Sequence, residues 1–137
     1  MDSKGTLVDS NVLLDIILED VRWCSWSQEM LRNAADEGPL LINPVIYAEV
    51  SASYKTIEEI ENRLPADDFL RSQIPWEAAF LAGKCFIRYR RAGGTRRSPL
   101  PDFFIGAHAA VEGLQLLTRD AARYRTYFPG IRIIAPS

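Results

Sequence analysis

Apolar positions fall along the chain in two rhythms. Short runs with little alternation stand at 5–8, 40–42, 114–118 and 131–134, with a weaker one at 69–74. An apolar run of this length, bounded by turn residues, reads as a strand buried on both faces. Between the runs lie longer stretches of helical character. Val12 to Leu18 follows the polar turn Asp9-Ser10-Asn11 and opens a strand–turn–helix unit. A second helix is predicted over 23–36, stopped by Gly38-Pro39. A third runs over 44–54, with Pro44 where a helical first turn tolerates proline. Thr56 with Glu59 forms a capping box for a fourth helix that ends at Leu64. Pro75 precedes a long helix over 76–92, ended by Gly93-Gly94. After the loop 95–101 another helix runs from Asp102 to about residue 112, closed by Gly113. A short helix follows Asp120.

Strands that alternate with helices, and are apolar throughout, imply a parallel sheet covered on both faces. The expected fold is a three-layer α/β/α sandwich with four or five parallel strands, the strand at 5–8 central. The whole of 1–137 is read as a single domain. In such sheets ligands bind beyond the carboxyl ends of the strands. Asp9 directly follows the strand at 5–8, and Asp120 lies two residues past the strand at 114–118. Parallel strands would bring both carboxylates to one edge. Glu49 on the third helix and Asp102 at a helix start are candidates for the same edge.

Composition narrows the function classes. Apolar residues at 47% and charged residues at 25% fit a globular chain and exclude disorder. No apolar run approaches the ~18 residues of a membrane span, and the first residues show no signal-peptide pattern. Cys24 and Cys85 lie in no metal-like spacing and are expected to be buried, free thiols in a reducing cytoplasm. Net charge is -2, yet 84–97 carries Lys84, Arg88, Arg90, Arg91, Arg96 and Arg97 and no acid. An acidic remainder argues against bulk nucleic-acid binding, while one basic segment permits a focused phosphate contact.

Each acid has an ordinary structural reading. Asp9, Asp102 and Asp120 suit helix N-termini, and Glu49 suits a solvated face. Gathered in one cleft, they would raise each other's pKa unless a cation were present. Hard oxygen donors suit Mg²⁺ or Mn²⁺. Such an ion holds a phosphate oxygen and activates water, the equipment of a metal-dependent phosphodiesterase.

Residues 7–15, Leu-Val-Asp-Ser-Asn-Val-Leu-Leu-Asp, resemble the opening motif of PIN domains. Residues 44–50 resemble their second motif and contain its glutamate, Glu49. Residues 101–109 resemble the third. Leu117-Thr118-Arg119-Asp120, with Tyr127-Phe128 downstream, resembles the fourth. The size is similar to VapC-like toxins of prokaryotic toxin–antitoxin pairs. The resemblance implies a Mg²⁺-dependent endoribonuclease, homodimeric, neutralised by a small antitoxin protein. It assigns Asp9, Glu49, Asp102 and Asp120 to the acidic quartet, and Asn11 and Thr118 to polar supporting positions.

Other residues stay open between roles. Ser10 reads as a helix cap. His108, the only histidine, falls off the helix face of Asp102, Ile105, Gly106 and Ala109 and is expected to be structural. The small residues Gly106, Ala107, Ala109 and Ala110 are expected to let this helix approach the sheet. Arg96 and Arg97 are candidate RNA contacts, and Arg119 a candidate to hold an acid or a phosphate. Trp23 and Trp26 read as core or, if exposed, as anchors for a partner peptide. The helix over 76–92 is apolar on more than one face, enough to cover the sheet and a dimer mate.

The competing functions are weaker. A haloacid-dehalogenase-like phosphatase needs a second aspartate two residues past the first, where this chain has Asn11. A receiver-type signalling module needs a lysine after a late strand, and the lysines are at 4, 55 and 84. A PIN-fold binding module without activity conflicts with the intact acid set.

Overall fold

A computed structural model describes residues 4–137. Among the described residues five parallel strands form one sheet in the order β3-β2-β1-β4-β5. They are β1 (Thr6–Val8), β2 (Leu40–Ile42), β3 (Phe69–Arg71), β4 (Gln115–Leu117) and β5 (Ile133–Ile134). The helices are α1 (Ser10–Ile17), α2 (Cys24–Glu37), α3 (Pro44–Ser51), α4 (Ile57–Arg63), α5 (Trp76–Arg91), α6 (Pro101–Glu112) and α7 (Ala122–Tyr127). The result is the expected α/β sandwich with β1 at its centre.

Why β1 is central follows from its residues. Leu7 and Val8 are fully buried and Thr6 nearly so. Thr6 pairs with Leu40 on one side and Gln115 on the other. Its hydroxyl accepts a hydrogen bond from Gln115 Nε2 at 2.7 Å, which satisfies two buried polar groups at once. The core fills with Leu13, Ile42, Ile46, Ile60, Phe103, Ile105, Leu116 and Leu117.

Several element ends differ from the sequence pattern, each for a local reason. α3 stops at Ser51 rather than 54, because Ser53 and Tyr54 turn back onto the carbonyls of Val50 and Ser51. β3 ends at Arg71 rather than 74. Its neighbour β2 ends at Ile42, where Asn43 leaves the sheet to cap α3. Asn43 Oδ1 accepts from the Ile46 amide at 2.9 Å, so the helix start takes the residue that would have prolonged the strand. α6 begins at Pro101, with Leu100 in the N-cap position and no side-chain cap, so Asp102 lies inside its first turn. Gly113 closes α6 in the left-handed region at φ 68°, where a side chain would be strained.

Small residues on α6 do not serve the sheet alone. A Cβ on Gly106 would clash with the Phe128 ring. Gly106 therefore makes room for an aromatic ring just past α7, and Ala110 is exposed. Trp23 and Trp26 are half-buried, with their rings edge-to-face at 6.1 Å. Cys85 is buried, whereas Cys24 is only half-buried, and both are free thiols.

Candidate active site

β1 and β4 run parallel and adjacent, so Asp9 and the segment Thr118–Asp120 leave the sheet at the same edge. Asp9 is 4% exposed. Its Oδ1 accepts from the Ser10 amide at 2.8 Å, which makes Asp9 the N-cap of α1 as well as a site residue. Its Oδ2 accepts from the hydroxyls of Thr118 and Tyr124, both at 2.9 Å. Burial pushes the Asp9 carboxyl above its usual range, and the charge of Asp102 adds to this. The three hydrogen bonds pull the other way.

Glu49 comes from α3, half-buried rather than solvated. Ser10 Oγ donates to its Oε1 at 2.9 Å. Burial, together with the charges of Asp9 and Asp102, raises its pKa against the lowering effect of the Ser10 hydroxyl. Asp102 comes from the first turn of α6. Its Oδ1 accepts from Tyr124 OH at 3.3 Å, and its Oδ2 pairs with Arg123 Nη1 at 3.2 Å. Asp9, Glu49 and Asp102 thus form one electrostatic group joined by two hydroxyls.

Asp120 stands apart. It reaches the same edge, but its side chain is exposed and outside this hydrogen-bonded group; its backbone takes part, the amide donating to Thr118 Oγ1 at 3.2 Å and the carbonyl facing the same hydroxyl at 3.5 Å. It caps no helix either, since Ala121 is the N-cap of α7.

Asn11 and Thr118 tie the two strand ends together. Asn11 Nδ2 donates to Thr118 Oγ1 at 3.2 Å, and Asn11 Oδ1 accepts from the Arg119 amide at 3.0 Å. Thr118 in turn donates its proton to Asp9. A carboxylate in this position keeps its rotamer without help from solvent.

The donor set suits a hard divalent cation. The acids repel one another and are all oxygen donors. Mg²⁺ typically takes one or two carboxylates and keeps several waters, so a closed cage is unnecessary. Among the described residues no three His, Cys, Asp or Glu side chains are drawn into a ready-made cage. Asp9 and Asp102, which share the Tyr124 hydroxyl, could hold such an ion.

The PIN-domain family model matches residues 6–129, from β1 to just past α7. The chain belongs to the PIN-domain family. A curated relative, ribonuclease VapC10 of Mycobacterium tuberculosis, is 33% identical over 112 residues, covering 82% of this chain and 80% of the relative. Among solved structures, VapBC2 from Rickettsia felis bound to a promoter DNA fragment aligns with a TM-score of 0.71 at 16% identity. It covers 95% of this chain and 97% of that one. A toxin–antitoxin complex from Klebsiella pneumoniae aligns at 0.66 and 23% identity, covering 97% and 98%. At these identities the solved structures show the shared fold.

The remaining candidates of this PIN domain fall away from the acids. His108 is fully buried. Asn43 Nδ2 donates to its Nδ1 at 3.0 Å, which leaves Nε2 to carry the proton toward Ser72 Oγ at 3.1 Å. It clips α6 to the exits of β2 and β3, and burial lowers its pKa. Arg119 holds an acid: its Nε contacts the buried Asp15 at 2.8 Å and its guanidinium lies over the Trp23 ring. Arg96 and Arg97 are exposed in the loop before α6. That loop is tied back to α5, with Arg90 donating to the Arg96 carbonyl and Tyr89 OH accepting from the Arg96 amide.

Three participants were not singled out in this role by the sequence pattern. Tyr124 reaches the acids from α7, Arg123 pairs with Asp102, and Ser10 bridges toward Glu49. Only the Asp-rich motifs carry a linear signal. A tyrosine 115 positions from Asp9 shows its role only after folding.

Proposed function

We propose that this PIN domain is a divalent-metal-dependent endoribonuclease and the toxin of a toxin–antitoxin pair. The observation that carries the reading is the convergence of Asp9, Glu49 and Asp102 at the carboxyl edge of the sheet, in a chain 33% identical to a ribonuclease VapC. Asp9, Glu49, Asp102 and Asp120 are proposed as the acidic quartet. Asp9 and Asp102 would hold Mg²⁺ or Mn²⁺ directly, with Asn11 and Thr118 in support. When bound, such an ion supplies Lewis acidity toward a phosphodiester and lowers the pKa of water.

The chain's own residues do the rest. Thr118, Tyr124 and the Ser10 amide fix the Asp9 carboxylate, so little reorganisation is needed when charge develops. Asn11 holds the β4–α7 turn in place. Arg96 and Arg97, in the loop that leads to Asp102, are proposed to guide the RNA backbone toward an edge that is itself acidic. Arg119, engaged with Asp15, contributes to the scaffold of that edge.

A cytoplasmic RNA substrate and a protein antitoxin are the proposed partners, the latter because the structural relatives include toxin–antitoxin complexes. Among the described residues no helix is long and apolar enough to cross a membrane. A homodimer is proposed through α5, which exposes Trp76 at 88% and Phe80 at 69%.

The phosphatase alternative loses its support at Asn11, which is a structural tie between strand ends rather than an acid. The test is incubation of the purified chain with a total-RNA mixture in Mg²⁺ or Mn²⁺. New RNA ends that vanish with EDTA and in Asp9→Asn are expected. Intact RNA together with hydrolysis of p-nitrophenyl phosphate would overturn the reading in favour of a phosphatase. Intact RNA with no esterase activity would leave a PIN-fold binding module.

A further inference from the structure

Tyr124 stands between Asp9 and Asp102. Its ring is buried at 1% exposure, on a six-residue helix that starts after Asp120. Its one hydroxyl proton faces Asp9 Oδ2 at 2.9 Å and Asp102 Oδ1 at 3.3 Å. A phenol is a rigid spacer with few rotamers, and here the core fixes its ring. The hydroxyl therefore bridges two carboxylates from distant segments, Asp9 after β1 and Asp102 on α6. It also places a positive dipole end between two negative groups.

Asp102 has a second holder. Arg123, the residue before Tyr124 on α7, pairs with Oδ2 at 3.2 Å from a side chain that is 44% exposed. Exposed pairs of this kind contribute little and give way easily. The buried hydroxyl, in contrast, has no solvent competing for its proton.

We propose that Tyr124 is the positioning residue that holds Asp9 and Asp102 at the spacing a divalent cation requires. The inference rests on the reading of these acids as the metal site. Without the hydroxyl, Asp102 keeps only the Arg123 pair among the described residues, and Asp9 loses one of its hydrogen-bond donors. Outer hydrogen bonds of this sort typically change metal affinity by ~10–100-fold when removed.

The test is Mn²⁺ binding to the full chain without RNA, read by electron paramagnetic resonance and calorimetry, on wild type, Asp9→Asn, Tyr124→Phe and Arg123→Ala. Wild type should bind Mn²⁺ and Asp9→Asn should not. Tyr124→Phe should weaken binding by tenfold or more, and Arg123→Ala should bind at least as tightly as wild type. Wild-type affinity in Tyr124→Phe would overturn the proposal while leaving the metal site intact. Absence of Mn²⁺ binding in wild type would overturn the metal-site reading itself. Should Tyr124→Phe fail to fold, Arg123→Ala decides: a tenfold loss there makes Arg123 the holder of Asp102 and overturns the proposal, and retained affinity supports it.

Discussion

Arg119 Nε lies 2.8 Å from Oδ2 of Asp15, a carboxylate 3% exposed at the far side of α1. Ser27 Oγ donates to the same oxygen at 2.8 Å. The contact joins α1, α2 and the turn after β4, the turn that carries Thr118 and Asp120. Among the described residues, removing Arg119 leaves the buried carboxylate with only the Ser27 hydroxyl. Arg119→Ala is therefore expected to lower stability by about 2 kcal/mol in urea melts. Asp15→Asn, which keeps an acceptor for Ser27, should cost less.

The raised carboxyl of Asp9 gives a stability–pH slope of known sign. Its folded pKa lies above the ordinary 3.8, and that of Glu49 above 4.5. Between those ordinary values and the raised ones the folded state binds more protons than the unfolded state. Metal-free stability should thus fall as pH rises from about 4 through the raised values. Asp9→Asn removes its share of that slope. Removing the charge relieves its burial cost and its repulsion from Asp102, so the variant should melt at pH 7 no lower than wild type. Mg²⁺ should raise the wild-type melting temperature and leave the variant unchanged. A wild-type melt insensitive to Mg²⁺ would count against a carboxylate metal site.

His108 works in the opposite direction. Burial holds its folded pKa below the ordinary 6.5. The unfolded chain takes up the proton first as pH falls through that value, so stability should drop on acidification below about 6.5. In His108→Asn that slope should be absent from melts compared between about pH 5 and 7.

Gly106 faces Phe128 with no space for a methyl group. Gly106→Ala should destabilise by about 1–3 kcal/mol, the usual cost of overpacking a core. Phe128→Leu in the same chain should recover part of the loss, whereas two unrelated defects would add. Urea midpoints of the two single variants and the double variant check this.

Arg96 and Arg97 are expected to act on RNA affinity and not on turnover. Replacing both by Ala should lower the log–log salt dependence of RNA binding by ~0.7 for each phosphate that is no longer neutralised. Turnover at saturating RNA should stay near wild type, since neither side chain touches the acids. Unchanged affinity and unchanged slope would make the loop a plain solvated segment, and the RNA-guiding surface would then lie around Arg123 and Arg125.

The order of elements was legible in the chain because buried parallel strands must be apolar on both faces. Leu7-Val8, Leu40-Leu41-Ile42 and Leu114-Gln115-Leu116-Leu117 carry that signal in a few residues each. The edge at which Asp9 and Asp120 emerge followed from the same pattern, since every connection passes through a helix and forces parallel pairing. Tertiary structure decided what linear spacing does not encode. It left Asp120 exposed outside the hydrogen-bonded acids and capping no helix. It gave Arg119 to Asp15, and it set the Tyr124 hydroxyl between Asp9 and Asp102. These outcomes depend on how helices settle against the sheet, where side chains from α1, α6 and α7 compete for the same few ångströms. Hydrophobic periodicity names the buried face of a helix, but the partner of a polar side chain is fixed only by packing.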